Sequence, residues 1–190
     1  MSTPRLFLVA PELPASQVAG CLKAACDSGD IASLLLPLSL AKEITPIAQN
    51  LGAAVLTTGE PREAMHAMCD GLHVVAGEAD IPALRKSLGA NSIVGAFAGA
   101  SRHFAMQAAE GGADYVALSQ NGPALGGEPI VKWWSEFFEI PCVAFDPVEA
   151  SDLDTLLPQN PDFIRPSDAM WESPEAARRI LTGLMQRLKT

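Results

Sequence analysis

At 190 residues, with 48% hydrophobic and 18% charged residues, the chain has the size and composition of one folded domain with a full core. Its net charge of −9 argues against nucleic acid and against an anionic membrane as partners, because both attract Lys- and Arg-rich surfaces. A small phosphorylated ligand is not excluded, since it needs only a local pocket.

Leu6–Ala10 is predicted as the first strand, stopped by Pro11. Ala15–Ser28 follows as a helix, with Val18, Leu22 and Ala25 on one face. Ile31–Leu36 is the second strand, ended by Pro37. Leu40–Leu51 is the second helix, interrupted near Pro46, because proline removes a backbone donor and clashes with the preceding turn. Ala53–Thr57 is the third strand, followed by Thr58-Gly59-Glu60 and a helix opened by Pro61. The central stretch Cys69–Ser119 holds three short apolar runs separated by two amphipathic ones, a β-α-β-α-β unit. Within it Ile81, Leu84 and Leu88 recur at helix spacing, and Ser101 is placed to cap the fifth helix. Gln120–Glu128 is the longest irregular stretch, and its glycine-rich half offers a weak signal for a phosphate cradle. Ile130–Glu139 is a helix whose aromatic residues have core spacing. Pro141–Phe145 is a strand, Val148–Leu157 a helix, and Ile164 ends the eighth strand. Ser173-Pro174-Glu175 starts the last helix, which runs to Leu188, with a cap, a proline and an acid near the positive end of the dipole.

A small residue and an aspartate precede four of the apolar runs, at Asp30, Asp70, Asp114 and Asp162, spaced 40, 44 and 48 residues apart. One βα unit needs about 20–25 residues, so each interval holds two units. Eight strands alternating with eight helical segments is the count of an α/β fold of the (β/α)8 TIM-barrel type, in one domain spanning residues 1–190. An open doubly wound sheet is the alternative and would need a reversal of strand order. The chain is slightly shorter than the usual barrel, which begins at about 200 residues, so its loops must be short.

In such a barrel, ligands meet side chains at the C-terminal ends of the strands. The candidates there are Thr58, Glu78, Arg102, His103, Arg165 and Ser167. Glu60 and Glu78, at neighbouring strand ends, form a weak candidate pair for Mg2+, which usually takes one or two carboxylates plus phosphate oxygens. The plainer reading is that both glutamates, and Arg102 with His103, are solvated helix starts. His66 has no recognisable partner and reads as a surface or core histidine. Cys21, Cys26, Cys69 and Cys142 lack metal-ligand spacing and read as reduced thiols of a cytoplasmic protein. Leu6–Ala10 is too short for a signal sequence or a membrane span.

Asp70-Gly71-Leu72-His73-Val74, Ile93-Val94-Gly95, Gly112-Ala113-Asp114-Tyr115-Val116, Ile140-Pro141-Cys142-Val143 and Ser173-Pro174-Glu175-Ala176-Ala177-Arg178 together resemble the thiamine phosphate synthase family, which includes the TenI-type tautomerases. The resemblance follows the element order over nearly the whole chain. It implies a (β/α)8 barrel that, in active members, joins a pyrimidine diphosphate to a thiazole phosphate with Mg2+, releasing pyrophosphate. The family's polar Gln-x-Arg-x-Lys of strand two aligns here with Leu34, Leu36 and Leu38. Its Asn-Asp after strand three is Thr58-Gly59, and its Gly-Gln-Glu-Asp after strand four is Val75-Ala76-Gly77-Glu78. Its serine after strand five is Phe97, and its Gly-Gly turn after strand seven is Asp146-Pro147. Leucine cannot compensate phosphate charge, and proline offers no N–H.

Three readings follow. The first is a divergent family barrel, lacking or altered in the family's pyrophosphorylase activity, with a binding or regulatory role. Its apolar mouth of Leu34, Leu36, Leu38, Phe97 and Phe145 would suit an uncharged ligand or a partner surface. The second is an active synthase, with Mg2+ as cofactor. The third is another small-molecule enzyme using Glu78, His103, Asp146 or Arg165. The expected partner is a small molecule or a protein, and a homodimer is compatible with all three.

Overall fold

The strand and helix signals are realised in alternation, in a computed structural model that describes residues 3–120 and 127–189. The strands are β1 Arg5–Val9, β2 Ile31–Leu36, β3 Ala54–Thr57, β4 Gly71–Val75, β5 Ile93–Gly99, β6 Tyr115–Leu118, β7 Cys142–Val148 and β8 Phe163–Pro166. The helices are α1 Ala15–Cys26, α2 Leu38–Asn50, α3 Pro61–His66, α4 Ile81–Leu88, α5 Arg102–Glu110, α6 Ile130–Phe137, α7 Leu153–Leu156 and α8 Pro174–Leu188. All neighbouring strands pair in parallel, and β1 also pairs with β8, so the sheet closes. The open-sheet alternative is thereby set aside.

The barrel makes two apolar layers. Leu6, Leu8, Leu34, Leu36, Val94, Val116 and Cys142 point outward into the shell between sheet and helices. Phe7, Leu35, Leu56, Tyr115, Ala117 and Val143 fill the interior.

The repeated aspartates all lie at the N-terminal ends of even-numbered strands, and three of them clamp the strand before. The backbone N–H of Asp114 donates to the Val94 carbonyl at 2.7 Å, while its carboxylate accepts the Val94 N–H at 2.7 Å. Asp70 does the same with Val55, at 2.8 and 2.7 Å, and Asp162 with Cys142, at 3.2 and 2.8 Å. The fourth, Asp30, instead holds the Arg5 guanidinium of β1 in a two-pronged bond at 2.8 Å. The repeat read from sequence is thus a stabilising device at the barrel's bottom face.

Two elements differ from expectation. Helix α2 runs unbroken through Pro46, which lies at an exposed position, as does Lys42, whose carbonyl loses its helical donor to the proline. Helix α7 is a single turn followed by a 3-10 turn, Leu157–Gln159, because Val148 still belongs to β7 and Asp152 closes a local turn by accepting the Glu149 N–H at 2.8 Å.

Candidate functional site at the barrel mouth

A strand exposes alternate residues to opposite faces, so register decides what a ligand meets. On β2, Leu35 faces the interior while Leu34 and Leu36 are 0% and 1% exposed in the helix-facing shell. Leu38 opens α2. The expected apolar mouth therefore loses its three leucines. A continuous Leu-Leu-Leu run carries no alternation, and a slip of one residue reverses every side chain.

The interior is aromatic. His73 is buried at its centre, with Nδ1 2.7 Å from Tyr115 Oη and its ring stacked on Phe145 at 5.3 Å. Phe7 packs edge-on against both Tyr115 and Phe145. Burial holds the His73 imidazole down to a pKa of about 4 and raises the Tyr115 phenol well above its usual 10, so both are neutral at pH 7. Gly95 leaves the room for Tyr115: a Cβ there would lie 1.9 Å from the phenol ring. These rings form a filled floor, and the mouth begins above them.

At that level Phe97 lies 5.2 Å from Phe145, and Val75, which pairs with Phe97, is 44% exposed. Arg165 reaches across from β8. Its guanidinium lies 5.2 Å over the Phe145 ring, Nη1 donates to the Phe145 carbonyl at 3.3 Å, and Nη2 donates to both oxygens of Asp168 at 2.8 Å. Its Nε is buried and has no hydrogen-bond partner among the described residues. Asp168 begins a 3-10 turn, Asp168–Trp171, that is pinned to the barrel rim: Trp171 is buried, and its Nε1 donates to the Val9 carbonyl at 2.8 Å. Beside this group, Asp146, in the irregular last part of β7, accepts the Ser119 hydroxyl at 2.7 Å and the Gln120 backbone N–H at 2.6 Å. The Asp146 carboxylate thus occupies a backbone donor at the strand ends.

The other candidates are engaged elsewhere or exposed. Thr58 is exposed just past β3. Glu60 and Glu63 form a capping box at the start of α3, so Glu60 serves the helix. Glu78 is exposed in the tight turn after β4, closed by its N–H to the Val75 carbonyl at 3.2 Å. Arg102 lies 4.4 Å over the Trp133 ring and 3.6 Å from Glu128, bridging α5 to α6. His103 is exposed, with Phe104 as a ring neighbour at 5.5 Å. Ser167 donates its backbone N–H to the Val148 carbonyl at 2.8 Å. The structure thus brings Arg165 into a constellation with Phe145 and Asp168 and leaves the remaining candidates dispersed. The glycine-rich part of the loop singled out in the sequence falls largely on residues 121–126, outside the described residues.

Glu60 is held in its cap, and among the described residues no group of three or more His, Cys, Asp or Glu is placed to hold a metal.

Residues 35–164 match the family model described as thiamine monophosphate synthase. The chain belongs to that family. Two relatives are the thiamine-phosphate synthases of Rhodospirillum centenum, 34% identical over 92% of both chains, and of Hyphomonas neptunium, 30% identical over 97% of this chain and 95% of the relative. Among solved structures, thiamine phosphate pyrophosphorylase from Pyrococcus furiosus superposes with a TM-score of 0.79 over 98% of this chain and 96% of that one. At 18% identity that likeness speaks to the fold alone, as does a TM-score of 0.71 with 3-hexulose-6-phosphate synthase at 13% identity. The thiamine phosphate synthase family member described here therefore shares the closed barrel, and its function rests on the side chains at the mouth.

Proposed function

We propose that this family member binds a small ligand other than the pyrimidine diphosphate and thiazole phosphate pair, in a binding or regulatory role or with an altered activity. One observation carries the reading: the Gln120 backbone N–H, a donor at the strand ends, is taken by the Asp146 carboxylate at 2.6 Å. A phosphate arriving there meets a negative charge where it needs a donor, and the next residue, Pro147, has no N–H to offer. The inward position on β2 is Leu35, which adds no charge to offset a diphosphate. Desolvating a dianion without partners is costly, and stabilising the leaving diphosphate is the main catalytic contribution such chemistry requires.

The second reading is an active synthase, favoured by 34% identity over 92% of both chains to the Rhodospirillum centenum protein. An assay for thiamine phosphate with both substrates and Mg2+ separates the two. The first reading expects no product above the rate without protein; sustained turnover would replace it by the second. Among the described residues no helix is long and apolar enough to cross a membrane. A cytoplasmic setting is part of the same proposal, and the four free cysteines fit it.

A further inference from the structure

Arg165 stands out because its surroundings are contradictory. Its guanidinium is mostly enclosed, 16% exposed in its side chain, yet one donor, Nε, is buried and has no partner among the described residues. Buried donors on a charged group are almost always satisfied, so an unsatisfied one needs an explanation such as a missing water, ion or ligand. Its carboxylate partner is the reverse: Asp168 is 53% exposed and gives both oxygens to the single nitrogen Nη2. That is not the side-on fork in which a carboxylate spans two guanidinium nitrogens.

The geometry points to Arg165 as the receiving group for a flat aromatic or heteroaromatic monocarboxylate, bound in the mouth with its carboxylate on the Arg165 Nε–Nη2 edge and its ring against Phe97 and Phe145. This rests on the reading above that the site is not built for a diphosphate. Asp168 is the resting partner and the competitor, held within reach by the turn that Trp171 pins to β1. The guanidinium already lies over Phe145, so a ring entering beside Phe97 and the edge of Phe145 meets apolar surface while its carboxylate meets the cation. One guanidinium flanked by Asp168, with Asp146 at the end of the neighbouring strand, suits a single negative charge. A phosphate dianion would face two carboxylates with one cation to hold it.

The test is titration of the full chain with benzoate, followed by 1H–15N spectra that include the arginine Nε–Hε signals, with benzyl alcohol and inorganic phosphate as controls. Saturable benzoate binding is expected, shifting the Arg165 Nε–Hε signal, with both controls about tenfold weaker or more because they lack a planar carboxylate for the fork. Asp168→Asn, at an exposed position, removes the competitor and is expected to tighten benzoate severalfold, whereas Arg165→Lys weakens it about tenfold. A purely structural Arg165–Asp168 pair would give no tightening in Asp168→Asn. Unchanged or weaker benzoate binding in that variant, or no saturable shift in the wild type, overturns the inference. If Mg2+-pyrophosphate also fails to bind, only this inference falls; if Mg2+-pyrophosphate binds and thiamine phosphate is made, the functional reading falls with it.

Discussion

Tyr115 Oη sits 2.7 Å from Nδ1 of His73, in a hollow that exists because residue 95 is glycine. A methyl at that position would lie 1.9 Å from Tyr115 Cζ and 2.2 Å from its Oη, and the ring is walled in by Phe7 and His73. Gly95→Ala is therefore expected to cost about 1–3 kcal/mol or more through overpacking. Urea denaturation measures it: the midpoint should fall with little change in slope.

The same pair predicts a specific acid dependence. His73 binds its proton at about 4 in the folded chain and near 6.5 when unfolded, because burial disfavours the charged ring. Between those values the unfolded chain takes up a proton that the folded chain refuses, so stability falls as pH drops from about 6.5 to about 4. Above that window the contribution is complete, and below it this residue adds no further slope. The full loss amounts to about 3 kcal/mol. Comparing His73→Gln with the wild type by urea denaturation at pH 7 and pH 4.5 isolates it: the wild type should lose more stability over that interval than the variant.

At the opposite end of the barrel, the clamp of Asp114 on Val94 gives a prediction about stability without function. Asp114→Ala leaves the Val94 N–H without its carboxylate and removes the charged partner of Arg85, at a cost of about 1–3 kcal/mol. Because the clamp lies at the N-terminal face, ligand affinity at the mouth should be unchanged at temperatures where the variant is folded. Thermal unfolding and a binding titration on the same sample check both halves.

The aspartate repeat shows how far sequence reasoning reached here. Spacing near 44 residues was legible because three of the four aspartates repeat one backbone geometry, and the count of eight units follows from it; closure rests on the pairing of β1 with β8. The Ser101 cap, which accepts the Phe104 N–H at 3.2 Å, and the Pro174 helix start are local chemistry and stand as read. Leu34 and Leu36 were assigned to the mouth because an unbroken apolar run hides which residues face inward. Arg165 and Asp146 were visible as residues at strand ends. Their partners were not, since the contact of Arg165 with Phe145 crosses between strands, and the turn carrying Asp168 is placed by Trp171 packing against β1.

The corner at Asp146 can be tested by reversal. Asp146→Gly with Pro147→Gly removes the carboxylate near the end of β7 and frees the Gln120 N–H. Inorganic phosphate affinity should rise about tenfold or more, since a repelling charge is removed and charge-assisted donors are gained. A titration of both proteins with phosphate at fixed ionic strength reads the change.

The most direct measurement is a calorimetric titration of the wild-type chain with pyrophosphate in the presence of Mg2+. No binding heat at millimolar pyrophosphate is expected, because Asp146 holds the donor that the anion would need and Leu35 faces it from β2. A saturable, Mg2+-dependent isotherm would contradict that expectation and place this barrel among the working synthases.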